Sequence, residues 1–65
     1  MMQIYFLRIG ATKYTCVDTL GDNVGVDIWK DKDGKWHCVK ENVIIFSSPI
    51  LEQAFNYTAN FESKR

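Results

Sequence analysis

The segment VGVDIWKDKDGKWHCVK, Val24 to Lys40, reads as two strands folded back on each other around a polar turn. Along its first arm Val24, Val26 and Ile28 alternate with Gly25, Asp27 and Trp29, the period-two pattern of a half-buried strand. Asp31-Lys32-Asp33-Gly34 then breaks the alternation with turn chemistry. Asp-Gly is a favoured hairpin pair, and Gly34 tolerates the positive φ that a tight turn imposes. Lys35-Trp36-His37-Cys38-Val39-Lys40 forms the returning arm. Two registers compete. A two-residue Asp33-Gly34 loop sets Trp29 opposite Cys38 and Ile28 opposite Val39, which collects Val26, Ile28 and Val39 on one face. Trp29, Trp36 and Cys38 then share the other. A three-residue loop with a bulge slips the pairing by one and puts Trp36 on the face of Ile28. The first register sorts aliphatics from tryptophans and is the one expected.

Upstream, residues 2–9, MQIYFLRI, carry Ile4 and Phe6 on one pleat face and Tyr5, Leu7 and Ile9 on the other. A strand apolar on both faces is expected to lie centrally or to be covered on both sides. Gly10-Ala11-Thr12 turns the chain into KYTCVDT, residues 13–19, and Leu20-Gly21-Asp22-Asn23 closes that strand. Downstream, Glu41-Asn42 leads into the short apolar strand Val43-Ile44-Ile45-Phe46. Ser48 is a good N-cap, and Pro49 suits the first helical position, where a missing N–H costs nothing. Ile50, Leu51, Ala54, Phe55, Thr58 and Phe61 then recur as one face of a 3.6-period helix. Glu52, Gln53, Asn56, Asn60 and Ser63 take the solvent face, and Lys64-Arg65 suit the negative end of the dipole. The predicted fold is α+β, one small domain over residues 1–65. It is an antiparallel meander sheet of four to five strands with one C-terminal helix, Pro49 to Glu62, on one face. Ile50, Ala54, Phe55 and Phe61 are expected against the sheet.

Composition narrows what such a domain can do. With 65 residues the chain buries a small core, and 46% apolar content is enough to fold it. Eight Lys+Arg cancel eight Asp+Glu, so neither a basic nucleic-acid arm nor an acidic nucleic-acid mimic is indicated. Four Phe, three Tyr and two Trp exceed what so small a core needs, a first sign of a binding surface. No apolar run reaches the roughly 18 residues a membrane span requires. The opening MMQIYFLRIG lacks a basic region ahead of its apolar stretch and makes a poor signal peptide. A cytoplasmic protein is expected, with Cys16 and Cys38 as buried, reduced thiols. One His and two Cys provide neither the count nor the spacing of a structural zinc site, and no metal or cofactor is expected.

Catalytic constellations are sparse. His37 lies in a strand with no Ser, Cys or Asp at a spacing that suggests a triad, and Cys38 points to the opposite pleat face. Asp31-Lys32-Asp33-Gly34 has the opening letters of a calcium loop, but the glycine and the closing Glu of an EF-hand are misplaced. Asn56-Tyr57-Thr58 matches a glycosylation sequon inside the predicted helix. The chain is expected not to be an enzyme.

Two binding readings follow. Trp29, Trp36, Tyr5 and Tyr14 are expected to form an aromatic patch on the helix-free face, fitting a protein partner or a second copy of the chain. Stand-alone domains of this size without a catalytic set are a form that phage and mobile-element accessory proteins take, including inhibitors of host proteins. The alternative is nucleic-acid binding through Lys30, Lys32, Lys35 and Lys40 on the 29–40 hairpin. GVDIWKDKDGKWH followed by IIFSSPILEQAF is loosely similar to DNA-reading domains of AP2 type and to arm-binding domains of integrases. That resemblance spans roughly the last two-thirds of the chain and implies a sheet that enters the major groove.

Overall fold

The computed structural model describes residues 3–63, with side chains for residues 3–61. Five strands are followed by one helix: β1 (Ile4–Gly10), β2 (Lys13–Asp18), β3 (Asn23–Lys30), β4 (Trp36–Lys40), β5 (Val43–Ser48) and α1 (Leu51–Ser63). Each strand pairs antiparallel with the next, giving one sheet in the order β1-β2-β3-β4-β5. This is the expected α+β meander with its C-terminal helix. Met2, Lys64 and Arg65 lie outside the described residues, as does the side chain of Ser63.

Two of the turns are built by the same set of hydrogen bonds. Asp18 Oδ1 accepts from the N–H groups of Leu20 and Asp22 at 2.9 and 3.0 Å, and Asp31 Oδ1 accepts from Asp33 and Lys35 at 2.9 and 3.0 Å. The Gly21 N–H donates to the Asp18 carbonyl, and the Gly34 N–H to the Asp31 carbonyl. Both glycines sit at φ +85°, in the left-handed region. Each is a three-residue loop that closes on a left-handed glycine, written in the sequence as Asp-x-x-Gly.

That loop overturns the expected register. Asp27 pairs with Val39, Ile28 with Cys38, Trp29 with His37 and Lys30 with Trp36. Trp36 and Cys38 therefore join Val26 and Ile28 on the helix side, while Val39 turns to the opposite face. The physical reason lies in Asp31. Its carboxylate satisfies two turn amides only if the loop begins there, and a two-residue loop would also force Asp33 to positive φ. Outside glycine that conformation is adopted by Glu41 and Asn42 among the described residues, at φ 53° and 67°, in the tight turn between Lys40 and Val43.

The helix begins at Leu51 rather than at Pro49, and Ser48 is the last residue of β5. Ser48, itself buried, accepts the Ile50 N–H at 3.1 Å and donates to Gln53 Oε1 at 2.6 Å. Ala54 and Thr58 are fully buried, with Leu51, Phe55 and Tyr57 packed around them. Ile50 departs from expectation and stays 52% exposed. It stands just before the first helical residue, where the chain has left edge strand β5 and no further strand among the described residues lies beyond to meet it. Phe55 stacks on Phe6 at 4.3 Å and meets Tyr14 edge-on at 5.1 Å, so the helix reaches across to β1 and β2. Phe46 and Tyr57 stack at 4.5 Å.

Both cysteines are buried, and neither is in a disulfide. The Cys38 thiol donates to the Ala54 carbonyl and accepts from the Thr58 hydroxyl, and burial pushes its pKa up. Within the Asn56-Tyr57-Thr58 sequon, Asn56 is exposed and Thr58 lies inside the core. No helix among the described residues is long and apolar enough to cross a membrane.

Candidate interaction surface

The face of the sheet away from α1 follows from the register, because paired residues point the same way. Tyr5 pairs with Val17 and Leu7 with Thr15 across β1 and β2. Lys13 pairs with Trp29, Trp29 with His37, His37 with Ser47 and Val39 with Ile44 across the rest. Its two margins are apolar and open: Tyr5 is 48% exposed and Leu7 51% on β1, and Ile44 is 53% exposed on β5. Trp29 stands between them, half-buried, with its ring centroid 4.8 Å from that of His37.

The four aromatics expected in one patch are divided by the sheet. Tyr5 and Trp29 lie on the open face. Tyr14 and Trp36 lie beneath it, 5.9 Å apart and packed against the core beside α1. A single slip in the β3–β4 pairing accounts for Trp36. Tyr14 pairs with Ile28, which fixes it on the helix side.

Polar side chains hold the middle of the open face. Thr15 donates to Asp27 at 2.9 Å and accepts from Asn23 at 2.9 Å. A second chain of bonds joins the β3–β4 turn to β5. His37 Nε2 lies 2.7 Å from Asp31 Oδ2, and Nδ1 lies 2.6 Å from Ser47 Oγ. A carboxylate only accepts, so Nε2 carries the proton and Ser47 donates to Nδ1 in the neutral ring. Sequence spacing did not reveal this Asp31–His37–Ser47 chain, because only the register brings β4 and β5 side by side with the turn. The chain resembles a nucleophile, base and orienter in outline. Yet Asp31 Oδ1 is already committed to two turn amides, so the same carboxylate anchors the loop.

The bond to His37, with the Lys35 and Asp33 amides, holds the Asp31 carboxyl below its ordinary pKa, against a smaller opposing effect of burial. The folded value is therefore the lower one, and the unfolded chain binds more protons between the two values. The stabilisation is complete above the unfolded pKa and is lost as pH falls through the folded one. Stability measured by denaturant titration should decline on acidification below about pH 4 in the parent. Asp31→Asn should be less stable at neutral pH and show a shallower acid decline. Parallel acid limbs for the two proteins would show that Asp31 does not carry the effect.

The hairpin lysines do not converge. Lys30 lies over the Trp36 ring at 5.5 Å, and Lys40 lies over Phe61 at 5.8 Å while donating to the Val24 carbonyl, all on the helix side. Lys32 and Lys35 are exposed at the turn. No group of three or more His, Cys, Asp or Glu side chains among the described residues is placed to hold a metal ion. No family model matches the chain, and no curated protein or solved structure matches it either. The likeness to AP2-type and integrase arm-binding readers gains nothing from these comparisons, and the sheet here has five strands.

Proposed function

We propose that the chain is a small non-enzymatic protein-binding module that meets its partner with the helix-free face of the sheet. The observation that carries this reading is the exposure of Tyr5, Leu7 and Ile44 on that face in a domain whose core is already closed by the helix. Apolar side chains left open in quantity mark contact surfaces, and a few such anchors carry most of the energy of an interface. Trp29, central on that face, is the anchor of choice, since tryptophan is enriched among residues that dominate binding. The Asp31–His37–Ser47 chain supports a structural role, as it ties a turn to an edge strand. The lysines speak against nucleic acid, because two of the four turn to the helix side and leave the open face without a cationic track.

Capture from a lysate of the source cells tests the reading. Trp29→Ala should lower partner affinity by about 30-fold or more, equivalent to about 2 kcal/mol, while circular dichroism shows the fold retained. Undiminished capture by the folded variant would contradict it. So would binding to duplex DNA with a log K against log salt slope near −3 to −4, the signature of about four phosphates neutralised.

A further inference from the structure

We propose that β1 is the seam of a symmetric dimer, in which two copies pair Ile4–Gly10 antiparallel about Leu7 to make one continuous sheet. The inference rests on the reading of the open face as a protein-binding surface and names what occupies its β1 margin.

β1 is an edge strand, so alternate residues turn their N–H and C=O groups away from β2 with no strand to receive them. Edges are commonly blunted by lysine, proline, inward charges or bulges, and IYFLRIG carries little of this. Its one charged residue, Arg8, folds back along its own chain, with Nε donating to the Gly10 carbonyl at 3.1 Å and Nη2 to Ala11 at 3.3 Å. The irregular step of β1 falls at its end, between Arg8 and Gly10. The opposite edge is better guarded. β5 is interrupted by an irregular step between Ile44 and Phe46, and the helix leaves from its end.

The side chains of β1 suit a strand with neighbours on both sides. Ile4 and Phe6 are half-buried on the helix side, while Tyr5, Leu7 and Ile9 stand 48%, 51% and 55% exposed. The sequence pattern is that of a central strand, yet the strand is an edge. Pairing two copies resolves the conflict.

The strand is complementary to itself in one register. A two-fold axis at Leu7 sets Leu7 against Leu7 of the second copy and Phe6 against Arg8, and brings Tyr5 to the irregular step at Ile9. The exposed Leu7 thus meets its own copy, apolar against apolar, and Arg8 is set opposite Phe6 rather than opposite its like. Moving the axis to Arg8 would oppose two guanidinium groups. The net charge of zero adds no long-range repulsion between copies. One strand pair buries less than the roughly 1,600 Å² of a standard interface, so a dissociation constant of about micromolar or weaker is expected.

Analytical ultracentrifugation of the full chain over a concentration series, with cysteine cross-linking, tests the seam. The parent should show a reversible monomer–dimer equilibrium. Leu7→Cys should oxidise to a covalent dimer, because this residue meets its own copy within disulfide reach. Tyr5→Cys, two residues from the axis and so out of reach of its own copy, should not. Cys16 and Cys38 are buried and do not compete. Leu7→Lys should weaken dimerisation at least tenfold with an unchanged melting temperature, since Leu7 is half exposed in the monomer. A parent that stays monomeric to about 1 mM, or equal cross-linking at positions 5 and 7, would overturn the proposal. A monomeric parent that still captures a partner through Trp29 would refute self-pairing and leave the binding-module reading standing. A Leu7-centred dimer without Trp29-dependent capture would uphold the seam and remove the broader reading.

Discussion

Phe55→Ala should cost about 3–5 kcal/mol of folding stability, more than any surface substitution in this chain. Phe55 stacks on Phe6 and meets Tyr14 edge-on, so it joins α1 to the two strands farthest from the helix's own attachment at β5. A domain of 65 residues has about 3–10 kcal/mol of stability in total. The variant should therefore be substantially unfolded at room temperature, and Phe55→Leu should recover most of the loss. A Phe55→Ala melt within a couple of degrees of the parent would place this ring outside the core.

Trp36→Ala should cost about 3 kcal/mol, at the lower end of the range because the indole is only half-buried. Its ring packs by Tyr14 and against the cluster of Ile28, Cys38 and Ala54, and Lys30 lies over it. Truncation opens a gap beside the helix and removes the cation–π contact together. Trp29→Ala, on the open face, should cost distinctly less. The contrast is the useful quantity, since both residues are tryptophans in one hairpin and differ only in the face they take. Equal losses, compared by chemical denaturation, would mean that the two indoles share an environment.

Much of this fold is legible in the residues. The apolar stripe through Ala54, Phe55, Thr58 and Phe61 and the alternation of Val26, Ile28 and Trp29 each carry their own local physics, whereas the helix start falls two residues after the Ser48-Pro49 cap the sequence offers. Register is different in kind. It turns on which residue opens the β3–β4 loop, and choosing between the two registers by how they sort aliphatics from tryptophans overlooks the Asp31 carboxylate. The signal was present twice, as Asp18-Thr19-Leu20-Gly21 and as Asp31-Lys32-Asp33-Gly34. An aspartate three residues before a glycine caps its own turn and fixes a three-residue loop. One slipped residue then exchanges every side chain of β4 between faces. That single step moved Trp36 and Cys38 beneath the helix and turned His37 toward Ser47.

Strand order was less accessible. Apolarity on both faces of β1 argues for neighbours on both sides, and local patterning cannot distinguish an internal neighbour from a strand of another molecule. Tyr5 and Leu7 were thus assignable to a face but not to an edge. The Asp31–His37–Ser47 chain lay beyond sequence reasoning for a related cause, because its members come from a turn and two strands whose alignment depends on the register.

Cross-strand nuclear Overhauser effects between β3 and β4 test most directly the separation of Trp29 from Trp36, on which the assignment of the open face depends. Backbone contacts should link Ile28 with Cys38 and Trp29 with His37, and the Trp36 indole should contact the Tyr14 ring. Contacts linking Ile28 with Val39 and Trp29 with Cys38 would contradict it, returning both tryptophans to one face.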